Sequence, residues 1–179
     1  MDEKKNDLLI KKFVSQYLRR MRYIKDNKID TLKKEYRNGD VTFMFNCSVY
    51  DIVKHSRNVS MIVEPEANPT GRGGYSDILL KHSGKKRYSI LIEHENDPLS
   101  KNALKTDSAL NKLFTSARHN YILLYITYFK NLNEREKITN KLKVYKKQNR
   151  PIYLLMTDYD NITTKEKVIK IKNGREVLF

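Results

Sequence analysis

The stretch Gly73-Gly74-Tyr75-Ser76-Asp77-Ile78-Leu79-Leu80-Lys81-His82, followed after a polar link by Ser89-Ile90-Leu91-Ile92-Glu93-His94-Glu95, decides the fold of this chain. Both runs are short and rich in Ile and Leu, and they predict strands over 75–82 and 87–95. The link around Ser83-Gly84-Lys85-Lys86 predicts a hairpin turn between them. Side chains two apart on a strand share a face, so Glu93 and Glu95 project together while Ile90, Ile92 and His94 face the other way. Asp77 interrupts its own apolar run in the same manner, and hairpin pairing brings it beside Glu93. Carboxylates on a hydrophobic strand are costly unless something neutralises them. Three that converge suit a divalent cation, which activates water and polarises a phosphodiester oxygen.

Working outward, residues 59–64 predict a strand before this hairpin, and sequential strands of this kind predict a meander. The intervening Pro65-Glu66-Ala67-Asn68-Pro69-Thr70-Gly71-Arg72-Gly73-Gly74 reads as an irregular loop, because its prolines and glycines oppose regular structure. Nearer the N-terminus, Leu8, Leu9, Ile10, Phe13, Val14, Tyr17, Leu18, Met21 and Ile24 recur at helical spacing. Arg19, Arg20, Arg22 and Lys25 fill the other side of that amphipathic helix. A second helical stretch over 29–36 is broken by Asn38-Gly39-Asp40, and a short helix is expected to carry Val49, Tyr50, Ile52 and Val53. Downstream, Asp97-Pro98 suits the start of a helix over 100–117, with Ala103, Leu104, Leu110, Leu113, Phe114 and Ala117 on its buried face. The continuous apolar run Tyr121 to Phe129 predicts a central strand covered on both faces. A surface helix over 134–147, a strand over 152–156 and a terminal hairpin turning at Asn173-Gly174 complete a mixed α/β chain.

The 179 residues suit one domain, with 1–40 as an N-terminal helical extension and 41–179 as the core. Thirty-six Lys and Arg against 21 Asp and Glu leave a net charge of +15, which favours a polyanionic partner, nucleic acid first. No membrane partner is expected, since no apolar run approaches the roughly 18 residues of a span. The polar start Met1-Asp2-Glu3-Lys4-Lys5 does not resemble a signal peptide, so an intracellular, cytoplasmic location is expected. Cys47 is the one cysteine, and His55, His82, His94 and His119 lack zinc-ligand spacing. Any metal is therefore expected on oxygen ligands, as Mg2+ or Mn2+.

Residues 46–129 resemble the PD-(D/E)XK nuclease superfamily, which includes restriction endonucleases and junction resolvases. Gly73 to Leu80 looks like its Asp-bearing second core strand, Ser89 to Asn96 like the strand of its acidic-x-Lys triplet, and Tyr121 to Tyr125 like its fourth strand. The resemblance implies a restriction-endonuclease-like core, a mixed central sheet flanked by helices in the order αβββαβ. It also implies Mg2+-dependent hydrolysis of DNA, with Asp77 and Glu93 as principal metal ligands. Glu95 stands where the superfamily usually carries Lys, as in some restriction enzymes, and is a candidate second-metal ligand or general base. A migrated lysine is the other solution: Lys101, Lys105 and Lys112 form one stripe of the following helix, and Lys105 is the candidate there. For the upstream acid of the superfamily, Glu64 ranks first, Glu66 second and Asp51 third. Arg72, Lys85, Lys86, Arg87, Lys101 and Lys112 are candidates for gripping the DNA backbone, as are Lys141, Lys143, Lys146, Lys147 and Arg150. Tyr125 and Tyr128 are candidates for stacking on bases. Such cores often act as dimers, so a homodimer is an allowed assembly. Two other readings remain open: a nuclease-fold protein that binds nucleic acid without cutting it, and a basic assembly protein whose acids form interprotein ion pairs.

Overall fold

The computed structural model describes residues 3–26, 61–67, 76–82, 89–95, 110, 111, 113–115, 121–129, 131–144, 151–158 and 168–177. Helix α1 (Glu3–Asp26) precedes three strands, β1 (Met61–Ala67), β2 (Ser76–His82) and β3 (Ser89–Glu95). Residues 110, 111 and 113–115 are helical and are followed by β4 (Tyr121–Phe129), helix α2 (Leu132–Val144), β5 (Ile152–Asp158), β6 (Val168–Lys172) and β7 (Arg175–Val177). The helices expected over 29–36 and 49–53, the 83–88 turn and most of the helix expected over 100–117 lie outside the described residues.

The strands form one mixed seven-stranded sheet in chain order, β1 to β7. β1, β2 and β3 are the expected antiparallel meander. β3, β4 and β5 run parallel, and β5, β6 and β7 return to antiparallel pairing. The last hairpin turns at Asn173-Gly174, where φ values of 52° and 74° place both residues in the left-handed region that Asn and Gly tolerate best. The end of β1 differs from the sequence reading, since the strand continues through Pro65 to Ala67 instead of giving way to loop at Pro65. Pro65 aligns with Ile78 on an edge strand, where a missing N–H need cost no ladder bond.

Successive parallel connections that step in one direction across a sheet, each right-handed, place their crossover segments on the same face. Leu110, Leu113 and Phe114 from the first crossover and Ile138 and Leu142 of α2 accordingly share one core with Leu79, Leu91, Leu123, Tyr125 and Leu154. The opposite face, just as apolar, is covered by α1: Ile10, Phe13, Val14, Tyr17 and Leu18 bury against Ile78, Leu80, Ile90, Ile92, Ile122, Leu124 and Leu155. Their spacing puts these five α1 residues on one stripe, and the Phe13 and Tyr17 rings lie nearly parallel with centroids 6.5 Å apart. α2 begins at an Asn131 cap, whose side-chain oxygen accepts from the Glu134 amide at 3.0 Å. No helix among the described residues is long and apolar enough to cross a membrane.

Candidate functional site

The carboxyl ends of β3, β4 and β5 lie along one edge of the sheet because these strands are parallel. β2 runs the other way, so its first residues reach the same edge. The β2–β3 register pairs Ile78 with Ile92, which sets Asp77 opposite Glu93 one step nearer that edge. On the far side of β3, Glu93 aligns with Tyr125 and Glu95 with Thr127. Asp77, Glu93 and Glu95 alternate with residues of the α1-facing core and therefore share the face of Leu79, Leu91 and Tyr125. The edge thus carries the acids where open α/β sheets usually place their ligands.

Glu93 is only 3% exposed, and Asp77 and Glu95 are half-buried. The Asp77 carboxylate accepts a hydrogen bond from the His94 backbone amide at 2.7 Å through Oδ2. That bond ties the first turn of β2 to the end of β3 and holds the Asp77 side chain against its neighbour strand. On the other side, the Thr127 hydroxyl donates to the Glu95 carbonyl oxygen at 2.9 Å, so both flanks of the β3 terminus are anchored by side chains. Thr127 is fully buried, and its role has no signature in sequence beyond a hydroxyl in an apolar run. His94 alternates onto the α1 side of the sheet, and burial lowers its pKa to about 3, leaving a neutral imidazole.

Glu64 aligns with Leu79, two positions away from Asp77 along β2. Residue 66 falls between the pairs Pro65–Ile78 and Ala67–Ser76 and so occupies the position beside Asp77. The row across the sheet is therefore Glu66, Asp77, Glu93 and Tyr125. Tyr125 is fully buried, which removes it as a platform for stacking bases. Lys143 makes an ion pair with Glu176 at 3.1 Å. Arg72, Lys85, Lys86, Arg87, Lys101, Lys105, Lys112, Lys146, Lys147, Arg150 and Asp51 lie outside the described residues.

The donor set is made of hard oxygens, which suits Mg2+ or Mn2+ better than softer metals. Among the described residues no three His, Cys, Asp or Glu side chains form a complete ligand cluster. Two adjacent carboxylates suffice for the usual magnesium arrangement, in which water and substrate phosphate complete the shell. No protein-family model matches this chain, and neither does any curated protein or solved structure.

Proposed function

We propose that this protein is a metal-dependent endonuclease with a restriction-endonuclease-like core, acting on DNA phosphodiester bonds. The observation that carries the reading is the placement of Asp77 opposite Glu93 across two strands, with Glu95 on the same face, at the carboxyl ends of the parallel strands of a mixed sheet in a chain of net charge +15. Buried carboxylate is expensive, and a bound divalent cation would help to offset that cost at Glu93. The chemistry supplied by bound Mg2+ or Mn2+ is Lewis-acid polarisation of the phosphate and acidification of water.

Asp77 and Glu93 hold the ion in this reading, and the His94 amide fixes the orientation of Asp77. Glu95, half-buried at the strand end, takes the proton from the attacking water. The net charge of +15 raises the local concentration of the polyanion.

The test is cleavage of supercoiled plasmid, branched DNA and single-stranded DNA with Mg2+, with Mn2+ and with chelator. Asp77→Asn keeps an oxygen to accept the His94 amide while removing the charge, so it should cost at least about 100-fold in rate with little loss of stability. Absence of cleavage on every substrate, or full activity in D77N, sinks the proposal. Glu95 in place of the usual Lys favours a second reading, binding without cleavage, in which D77N and Glu93→Gln leave DNA affinity intact or raise it as negative charge is removed.

A further inference from the structure

Helix α1 segregates its charges. Both acids near its start face the sheet: Glu3 meets Lys170 at 2.8 Å and Lys172 at 3.0 Å, and Asp7 meets Lys170 at 2.8 Å. The exposed side chains described along the helix are Lys4, Leu8, Lys11, Lys12, Ser15, Gln16, Arg19 and Arg22, with no acid among them. The sequence of α1 mixes both signs, and folding sorts its described side chains, so that Glu3 and Asp7 pair with Lys170 and Lys172 of β6 while Lys4, Lys11, Lys12, Arg19 and Arg22 are exposed.

We propose that the outer face of α1 is a second nucleic-acid surface, one that grips the phosphates of duplex DNA on the side of the sheet opposite the carboxylates. From Lys4 to Arg22 the helix rises about 27 Å, the length of roughly eight base pairs. Among the described residues the apolar stripe of α1 is engaged with the sheet, Ile10, Phe13, Val14, Tyr17 and Leu18 each being at most 5% exposed. This helix therefore cannot enter a bilayer by its hydrophobic face, and charge complementarity to a phosphate backbone is what its exposed face offers. Asp77, Glu93 and Glu95 lie on the other sheet face, so DNA held on α1 is not the segment presented to them. The inference shares with the nuclease reading only its polyanionic partner and holds whether or not the carboxylates cut.

The test uses the full chain in chelator and a fluorescent duplex of about 20 base pairs, with anisotropy titrations over a range of salt. Lys12→Glu with Arg19→Glu should weaken binding by at least about tenfold and flatten the salt dependence by about two units of slope. Lys137→Glu with Arg175→Glu changes two exposed bases by the same charge elsewhere and should weaken binding far less. The milder pair Lys12→Gln with Arg19→Gln should give a smaller loss in the same direction, with melting curves like the parent's. Equal losses in the two Glu pairs, or no duplex affinity in the parent, overturn the proposal. So does loss of phosphatidylserine-vesicle binding in K12E/R19E with duplex affinity retained.

Discussion

At the level of single residues, Asp77 joins local geometry to the chemistry proposed for this edge. Its carboxylate accepts the His94 amide, so the side chain is fixed before any ligand arrives. Preorganisation of this kind matters because a ligand displaced by about 1 Å can cost about 100-fold in rate. By register residue 66, and not residue 64, occupies the position beside Asp77, which makes it the upstream acid of the proposed site. In cleavage assays Glu66→Ala should lose at least about tenfold while Glu64→Ala stays within about threefold of the parent, following the effects of groups that orient metal ligands. The reverse order in single-turnover rates would reject this assignment of the upstream acid.

Among the elements, the junction of α1 with β5 and β6 is the most heavily ionic contact described. Lys170 is 3% exposed, yet it reaches Asp7 and Glu3, and its ammonium lies 5.7 Å from the Tyr153 ring centre. The Tyr153 hydroxyl donates to Asp7, and burial first, then that bond, raises its pKa. For Lys170 burial works against the charged form, but the hydrogen bonds to Asp7 and Glu3 outweigh it and raise the pKa. The hydrogen bonds from Lys170 and Lys172 lower that of Glu3. The carboxylate therefore adds stability above its ordinary pKa of 4.5 that is lost as pH falls through the lowered folded value. The ammonium adds stability below its ordinary 10.5 that is lost as pH rises through the raised folded value. Lys170→Met leaves Asp7 without its buried cation and should cost about 2–3 kcal/mol in urea unfolding near neutral pH. That difference should shrink as pH falls through the lowered folded pKa of Glu3, where its carboxylate protonates. A penalty unchanged from neutral to acid pH would mean that lost packing, not charge, accounts for it.

For the whole molecule, the three layers follow from one topological fact. With β3, β4 and β5 parallel and stepping one way, both crossovers fall on a single face, and the other needs a cover from elsewhere in the chain. α1 supplies it, so its burial is structural even though it lies at the start of the sequence. Removing residues 1–26 should uncover Ile78, Leu80, Ile90, Ile92, Ile122, Leu124 and Leu155 together. The shortened chain is expected to bind a hydrophobic dye and to lose its cooperative calorimetric transition. A sharp transition at the parent's temperature would show that the sheet does not need this layer.

Much of this architecture was legible in short stretches. The apolar runs marked β2, β3, β4 and β5, Asn173-Gly174 marked the last turn, and the three- and four-residue spacing marked α1. Alternation alone placed Glu93 and Glu95 on one face and His94 on the other, because the two-residue period of a strand is a property of its backbone. Pro65 was misleading since a proline opposes strand only where its N–H is needed, and whether β1 is an edge depends on every other pairing. The sequence by itself thus determined α1, β2 to β5 and the last hairpin, the faces of Glu93, His94 and Glu95, and the presence of strand-borne acids. Only the tertiary structure decided that Glu66 stands beside Asp77, that Glu3 and Asp7 turn inward to Lys170, and that α1 covers the second sheet face. These depend on register and contact between segments far apart in the chain, and no local periodicity encodes them.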